Sequence, residues 1–234
     1  MISDTLSNFA RRLSVTVAIG ALSLTMAYAP RAEASTVVFS NDVPAAGSSG
    51  NEATQWVQTG RFTVAGNTAL TGGGVYIADQ LGPGALGGWD GSLNYWIFSD
   101  AAGQPGAALG SGAAAGISTT DTGTAWCCGG NMFLVDFDFA SAIDVLAGAT
   151  YYRGIHLANN FIDRDDIYWV RNGSGPGFES AGGTFNNWFN NGFSKAFYLR
   201  GDPVVPIPLP AALPLLAVGL ALLGGIGAAR RRKA

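Results

Sequence analysis

Phe133-Leu134-Val135-Asp136-Phe137-Asp138-Phe139 is the stretch from which the fold is read. Phe133, Val135, Phe137 and Phe139 occupy alternate positions, and Asp136 and Asp138 fall between them. In an extended strand, a period of two puts the four apolar side chains on one face and both carboxylates on the other. A strand with one buried and one wet face belongs to an antiparallel sheet packed on one side. Outward from it, short runs rich in Val, Ile, Phe, Tyr and Trp occur at Thr36–Ser40, Arg61–Ala65, Gly74–Asp79, Leu93–Ser99, Thr150–Leu157, Asp166–Arg171 and Lys195–Arg200. Clusters of Gly, Asn, Asp and Ser separate them, and no window carries a sustained helical period with caps. Eight or so such strands predict an all-β domain over residues 35–202. The expected form is a two-sheet antiparallel sandwich of jelly-roll type, with a barrel as the alternative. Ala101 to Ser118 is low in complexity and yields no strand; near its start, after a strand ending at Asp100, Gly103-Gln104-Pro105-Gly106 reads as a turn.

Both ends of the chain differ from this middle. Residues 1–34 read as a signal peptide: Arg11 and Arg12 precede an uncharged apolar run from Leu13 to Ala29. Ala32-Glu33-Ala34 then fits the small-x-small cleavage pattern, which places the cut between Ala34 and Ser35. At the other end, residues 203–210 are Pro-rich, Ala211 to Ala229 is apolar and uncharged, and residues 230–234 carry Arg230, Arg231, Arg232 and Lys233. As a helix, 211–229 spans about 28 Å, close to the thickness of a bilayer's hydrocarbon. Four cations after it hold that end in the cytoplasm and the domain outside.

Ile207-Pro208-Leu209-Pro210-Ala211, followed by the apolar helix and the Arg cluster, resembles the PEP-CTERM class of bacterial sorting tails. It matches the variant whose motif reads Val-Pro-Leu-Pro-Ala, with Ile207 standing where Val is usual. The resemblance implies cleavage near the motif by an exosortase-type membrane transpeptidase, after signal peptidase has acted at the N-terminus. It also implies a Gram-negative host that makes exopolysaccharide. An ordinary C-terminal membrane anchor is the plain alternative. The pattern Ile97-Phe98-x-Asp100-x-x-Gly103-x-Pro105-Gly106-x-x-Leu109 likewise resembles β-sandwich domains of secreted, sorted bacterial proteins.

Without its two ends the chain keeps six basic and fourteen acidic residues, a net charge of −8. Such a domain is expected to avoid nucleic acid and anionic lipid, and divalent cations or polar polymers suit it better. The single histidine, His156, lies within an apolar strand, and no Gly-x-Ser-x-Gly elbow supplies a nucleophile, so no catalytic residue is assigned. Gly82-Pro83-Gly84-Ala85-Leu86-Gly87 has the letters of a dinucleotide loop, but no helix pattern follows to bind a pyrophosphate.

Three groups remain as candidate sites. Cys127 and Cys128 are adjacent and, in an oxidising compartment, form a vicinal disulfide beside Trp126, stay reduced, or link to another chain. Asp163, Asp165 and Asp166 follow Asn159-Asn160, an oxygen-rich turn suited to calcium or to solvent. Asn187, Trp188 and Asn190 combine an aromatic face with amides, the chemistry of a sugar-binding loop, although Trp188 could equally fill the core. Calcium is the one cofactor these residues suggest. The expected function is a non-catalytic structural or adhesive surface component associated with exopolysaccharide. A carboxylate-dependent extracellular glycan hydrolase and a passive membrane-anchored protein are the alternatives.

Overall fold

The computed structural model describes residues 35–81 and 85–204. The signal peptide through Ala34, the motif Ile207–Ala211, the apolar stretch 211–229 and the basic cluster Arg230–Lys233 lie outside the described residues, as do Gly82–Gly84 of the glycine-rich loop.

The described chain is all β and contains no helix. Its strands are β1 (Thr36–Ser40), β2 (Gly50–Glu52), β3 (Trp56–Thr63), β4 (Thr68–Asp79), β5 (Asn94–Ala101), β6 (Gln104–Ala113), β7 (Ala115–Ala125), β8 (Asn131–Val145), β9 (Thr150–His156), β10 (Ile167–Ser174), β11 (Phe178–Ala181), β12 (Phe189–Asn190), β13 (Phe193–Lys195) and β14 (Phe197–Pro203). They form two antiparallel sheets. In the first, β4 is central: β8 and then β7 lie along one edge, while β14 and then β10 share the other. β1 pairs with β14, and β2 and β13 pair with β10. The second sheet runs β12-β11-β3-β9-β5-β6.

One hydrophobic core draws on both sheets, with Leu70, Ile77, Val135, Phe137, Trp169 and Leu199 from the first and Phe62, Tyr95, Ile97, Tyr151 and Ile155 from the second. Alternation along β8 places its residues as expected: Phe133, Val135, Phe137 and Phe139 are buried, and Asp136 and Asp138 point away. There the two carboxylates meet Arg200, at 2.7 and 3.0 Å, and Tyr198 donates its hydroxyl to Asp136. Partial burial raises the Asp136 pKa despite Arg200, because removing the carboxylate from water outweighs the neighbouring charge.

Each of the eight expected runs overlaps an observed strand, and most of those strands are longer than the run; Arg61–Ala65 lies in β3 only through Thr63, and Lys195 of the Lys195–Arg200 run ends β13 while β14 begins at Phe197. The low-complexity segment corrects the reading, because it forms two of the longest strands, β6 and β7. Small residues are what this position demands. A Cβ on Gly110 would lie 2.7 Å from the Ile143 side chain, and one on Gly112 would lie 3.1 Å from the Tyr95 hydroxyl. The turn also moves: Ala102 and Gly103, both at positive φ, make a two-residue hairpin loop, and Gln104 and Pro105 already pair with Ala101 and Asp100.

Arg153, on β9, points into the core and is fully buried. Its Nη1 crosses to the first sheet and donates to the carbonyls of Gly74 (3.1 Å) and Tyr198 (2.8 Å). The guanidinium carbon lies 4.7 Å from the Phe137 ring centre and 5.6 Å from that of Phe197. Burial pushes its pKa down to about 9. A Cβ at Gly73 would meet the Tyr198 carbonyl and lie 3.1 Å from Arg153 Nη1, so glycine here lets the cation reach the backbone.

Candidate functional site: an aromatic and amide surface on the second sheet

On strands of the second sheet, residues that do not face the shared core form a separate aromatic cluster. Phe98 of β5, Tyr152 of β9 and Phe178 of β11 are buried in it. Trp96, Phe185 and Trp188 pack over them and are only partly buried. Gly154 allows this closeness, since a Cβ there would lie 2.7 Å from the Phe98 ring. The residues between β11 and β12 fold back over the sheet. Phe185, at a φ of 54°, turns its ring edge-on to Trp96 (5.4 Å) and Phe98 (5.2 Å). Trp188 lies parallel to Phe185, with centres 5.7 Å apart and 11° between the planes, and meets Phe98 edge-on at 5.2 Å.

Trp188 packs on the cluster with its ring half-buried, and its Nε1 is buried without a hydrogen-bond partner among the described residues. Asn187 and Asn190 beside it are exposed. Asn190 accepts the Gly192 N–H through Oδ1 (2.8 Å), which closes the turn into β13. Phe189 is 64% exposed. An apolar ring face rimmed by amides can stack on a pyranose ring and hydrogen-bond its hydroxyls. Burial, with the Asp100 carboxylate nearby, pushes the Tyr152 phenol up to about 12, so it keeps its proton.

The other candidate residues are placed differently. Cys127 and Cys128 are joined in a vicinal disulfide, exposed at the tip between β7 and β8, with Gly129 and Gly130 at positive φ completing the turn. Trp126 is buried beneath the tip against Tyr168, so the disulfide is not flanked by an open aromatic platform. Asp163, Asp165 and Asp166 share a turn but do not gather on one point. Asn160 Nδ2 donates to Asp163 (3.2 Å), while Asp166 accepts from Arg164 Nε (2.6 Å) and from the Tyr168 hydroxyl (3.1 Å). Among the described residues, no group of three or more His, Cys, Asp or Glu side chains is arranged to hold a metal ion. Asp165 has its pKa raised, first by burial and then by the carboxylates of Asp163, Asp90 and Asp166. His156 is buried, lies within 2.6 Å of the Thr54 carbonyl through Nε2 and stacks on Phe161. Burial lowers its pKa, which fits a neutral ring. Ser35 opens the described chain with its hydroxyl 2.6 Å from that of Thr71.

One cluster escaped the sequence reading altogether. Lys195 is fully buried between the sheets, with Asn51, Arg171, Gln58, Glu179 and Asn191 around it. The signal was available: Phe193, Lys195, Phe197 and Leu199 alternate, so Lys195 occupies a core-facing position. Comparison with protein-family models and with curated proteins finds no match for this chain.

Proposed function

We propose that this chain is an exported, exosortase-processed component of the cell surface or extracellular matrix, non-catalytic, that contacts exopolysaccharide. The observation that carries this reading is the succession of sequence features at the C-terminal end: Ile207-Pro208-Leu209-Pro210-Ala211, an apolar stretch and Arg230–Lys233. The domain's architecture supports it. The strand order β1-β14-β4-β8 in one sheet and β3-β9-β5-β6 in the other supports reading the domain as a jelly roll. The half-buried ring of Trp188 between exposed Asn187 and Asn190 supports the glycan contact.

Two measurements test it. Intact mass of the protein from its own host is expected to begin at Ser35 and end near the Pro-rich motif. A mass that retains Ala211 to Ala234, found only in membranes, would replace sorting with plain anchoring. Trp188→Ala is expected to weaken retention on the host's exopolysaccharide several-fold, while far-UV circular dichroism is unchanged. Equal retention would remove Trp188 from the contact.

A further inference from the structure

The inter-sheet cluster around Lys195 has the composition and placement of a reaction centre. Lys195 ends β13 and pairs across the strands with Arg171 of β10. The Arg171 N–H bonds the Ser49 carbonyl at the approach to β2, so β13 and β2 flank this part of β10. Asn51 of β2 lies opposite Trp169, a core residue of β10. Glu179 comes from β11 in the other sheet. Lys195 Nζ is 2.8 Å from Asn51 Oδ1, and Arg171 Nε donates to the same oxygen at 2.7 Å. Asn51 Nδ2 lies 3.4 Å from Glu179 Oε2, which also accepts from Gln58 (3.1 Å) and Asn191 (3.2 Å).

We infer that Lys195 and Asn51 condense into an intramolecular amide bond, with Arg171 and Glu179 as the groups that promote it. Each residue has a definite part. The Nζ lone pair attacks the Asn51 side-chain carbonyl carbon, forming the new C–N bond. Arg171, already bonded to Oδ1, stabilises the negative charge that develops there. The old bond to Nδ2 breaks, and one proton moves from Nζ to Nδ2 by way of the Glu179 carboxylate, so that ammonia departs. One amine and one amide give one substituted amide and one ammonia, with no oxidant, reductant or other reactant. Glu179 ends as it began.

The surroundings favour the step. A charged ammonium is no nucleophile, but burial, and then the Arg171 charge, push the Lys195 pKa down to about 7, with Glu179 the one group opposing them. Arg171 is itself fixed, its guanidinium carbon 3.6 Å from the centre of the Phe193 ring. Fixed partners at contact distance remove most of the entropic part of the barrier. Asn191 is the weaker electrophile. Its Oδ1 is 3.5 Å from Nζ, accepts the Phe193 N–H and has no bond from Arg171. The product would join β2 to β13 across β10 and close the chain from residue 51 to residue 195, in a protein whose one disulfide among the described residues spans adjacent residues.

Peptide mapping of the full-length chain, denatured, reduced and cleaved after arginine, tests this. The peptide ending at Arg61 and the peptide 172–200 are expected to run as one species, lighter than their sum by one ammonia, with fragmentation locating the bond at Asn51 and Lys195. Lys195→Met and Asn51→Ala are expected to separate them. Glu179→Gln, which keeps the size and an amide oxygen in place, is expected to leave them separate in folded protein. Two free peptides with unmodified Lys195 in the wild type overturn the proposal without reference to any variant. A bond at Asn191 overturns the choice of Asn51, and full linkage in Glu179→Gln overturns the role of Glu179.

Discussion

Arg153 and Phe137 allow a quantitative test of how the two sheets are held together. Arg153→Met removes two hydrogen bonds from a charged donor, worth about 1.5–3 kcal/mol each. It also removes a desolvated cation–π contact worth about 2 kcal/mol. Against these stands the cost of burying the cation, which the shift from 12.5 to about 9 puts on the order of 5 kcal/mol. The terms nearly balance, so the single substitution should change stability by no more than about 3 kcal/mol. The informative quantity is therefore the coupling. Phe137→Leu keeps an apolar side chain at a fully buried site but removes the ring that lies 4.7 Å from the guanidinium. A double-mutant cycle of Arg153→Met and Phe137→Leu, read by urea unfolding with constant slope, should give a coupling of about 1–2 kcal/mol. Additivity within about 0.3 kcal/mol would refute the argument, because two residues in energetic contact cannot change independently. The bridge would then rest on the carbonyl hydrogen bonds and the Phe197 ring.

Three further outcomes follow from single residues. A buried His156 whose pKa lies below the unfolded value of 6.5 makes the unfolded chain bind the extra proton first, so stability should fall as pH drops below about 6.5 and keep falling to the lowered folded value; His156→Gln should flatten that limb in pH-dependent melting. Reducing Cys127–Cys128 opens the smallest loop a disulfide can close, so chain entropy accounts for only about 1 kcal/mol, and melting with and without reductant should differ by roughly 2–4 °C. Gly60→Ala would place a Cβ 2.6 Å from Phe197 Cε1, a ring already held by Phe39 and Trp169, and should cost about 1–3 kcal/mol in urea unfolding.

What could be read from the sequence follows from what alternation encodes. The β8 pattern gave the correct faces because apolar and charged residues alternate there without interruption, and burial of one face fixes the register. β6 and β7 were invisible for the opposite reason. Ala, Gly, Ser and Thr carry no amphipathic signal, and their extended state is imposed by pairing with β5 and β8, whose own side chains demand small neighbours. Trp188 was ambiguous because an aromatic residue in an Asn-rich loop serves packing and exposure with the same letters, and only the positions of Phe98 and Phe185 divide its ring between the two.

Lys195 is the sharper case. The expected strand began at Lys195, where a cation at a strand end looks wet. Extending the alternation back to Phe193 puts the same residue in the core. A buried amine of this kind needs partners, and the sequence does not say which ones. Asn51 comes from a three-residue strand far upstream and Glu179 from the facing sheet, and only the pairing of β10 with both β2 and β13 brings them together. Alternation can therefore mark a charged residue that must be compensated. It cannot choose between compensation by hydrogen bonds and loss of the charge through a covalent bond, because that depends on a few ångströms between residues distant in the chain.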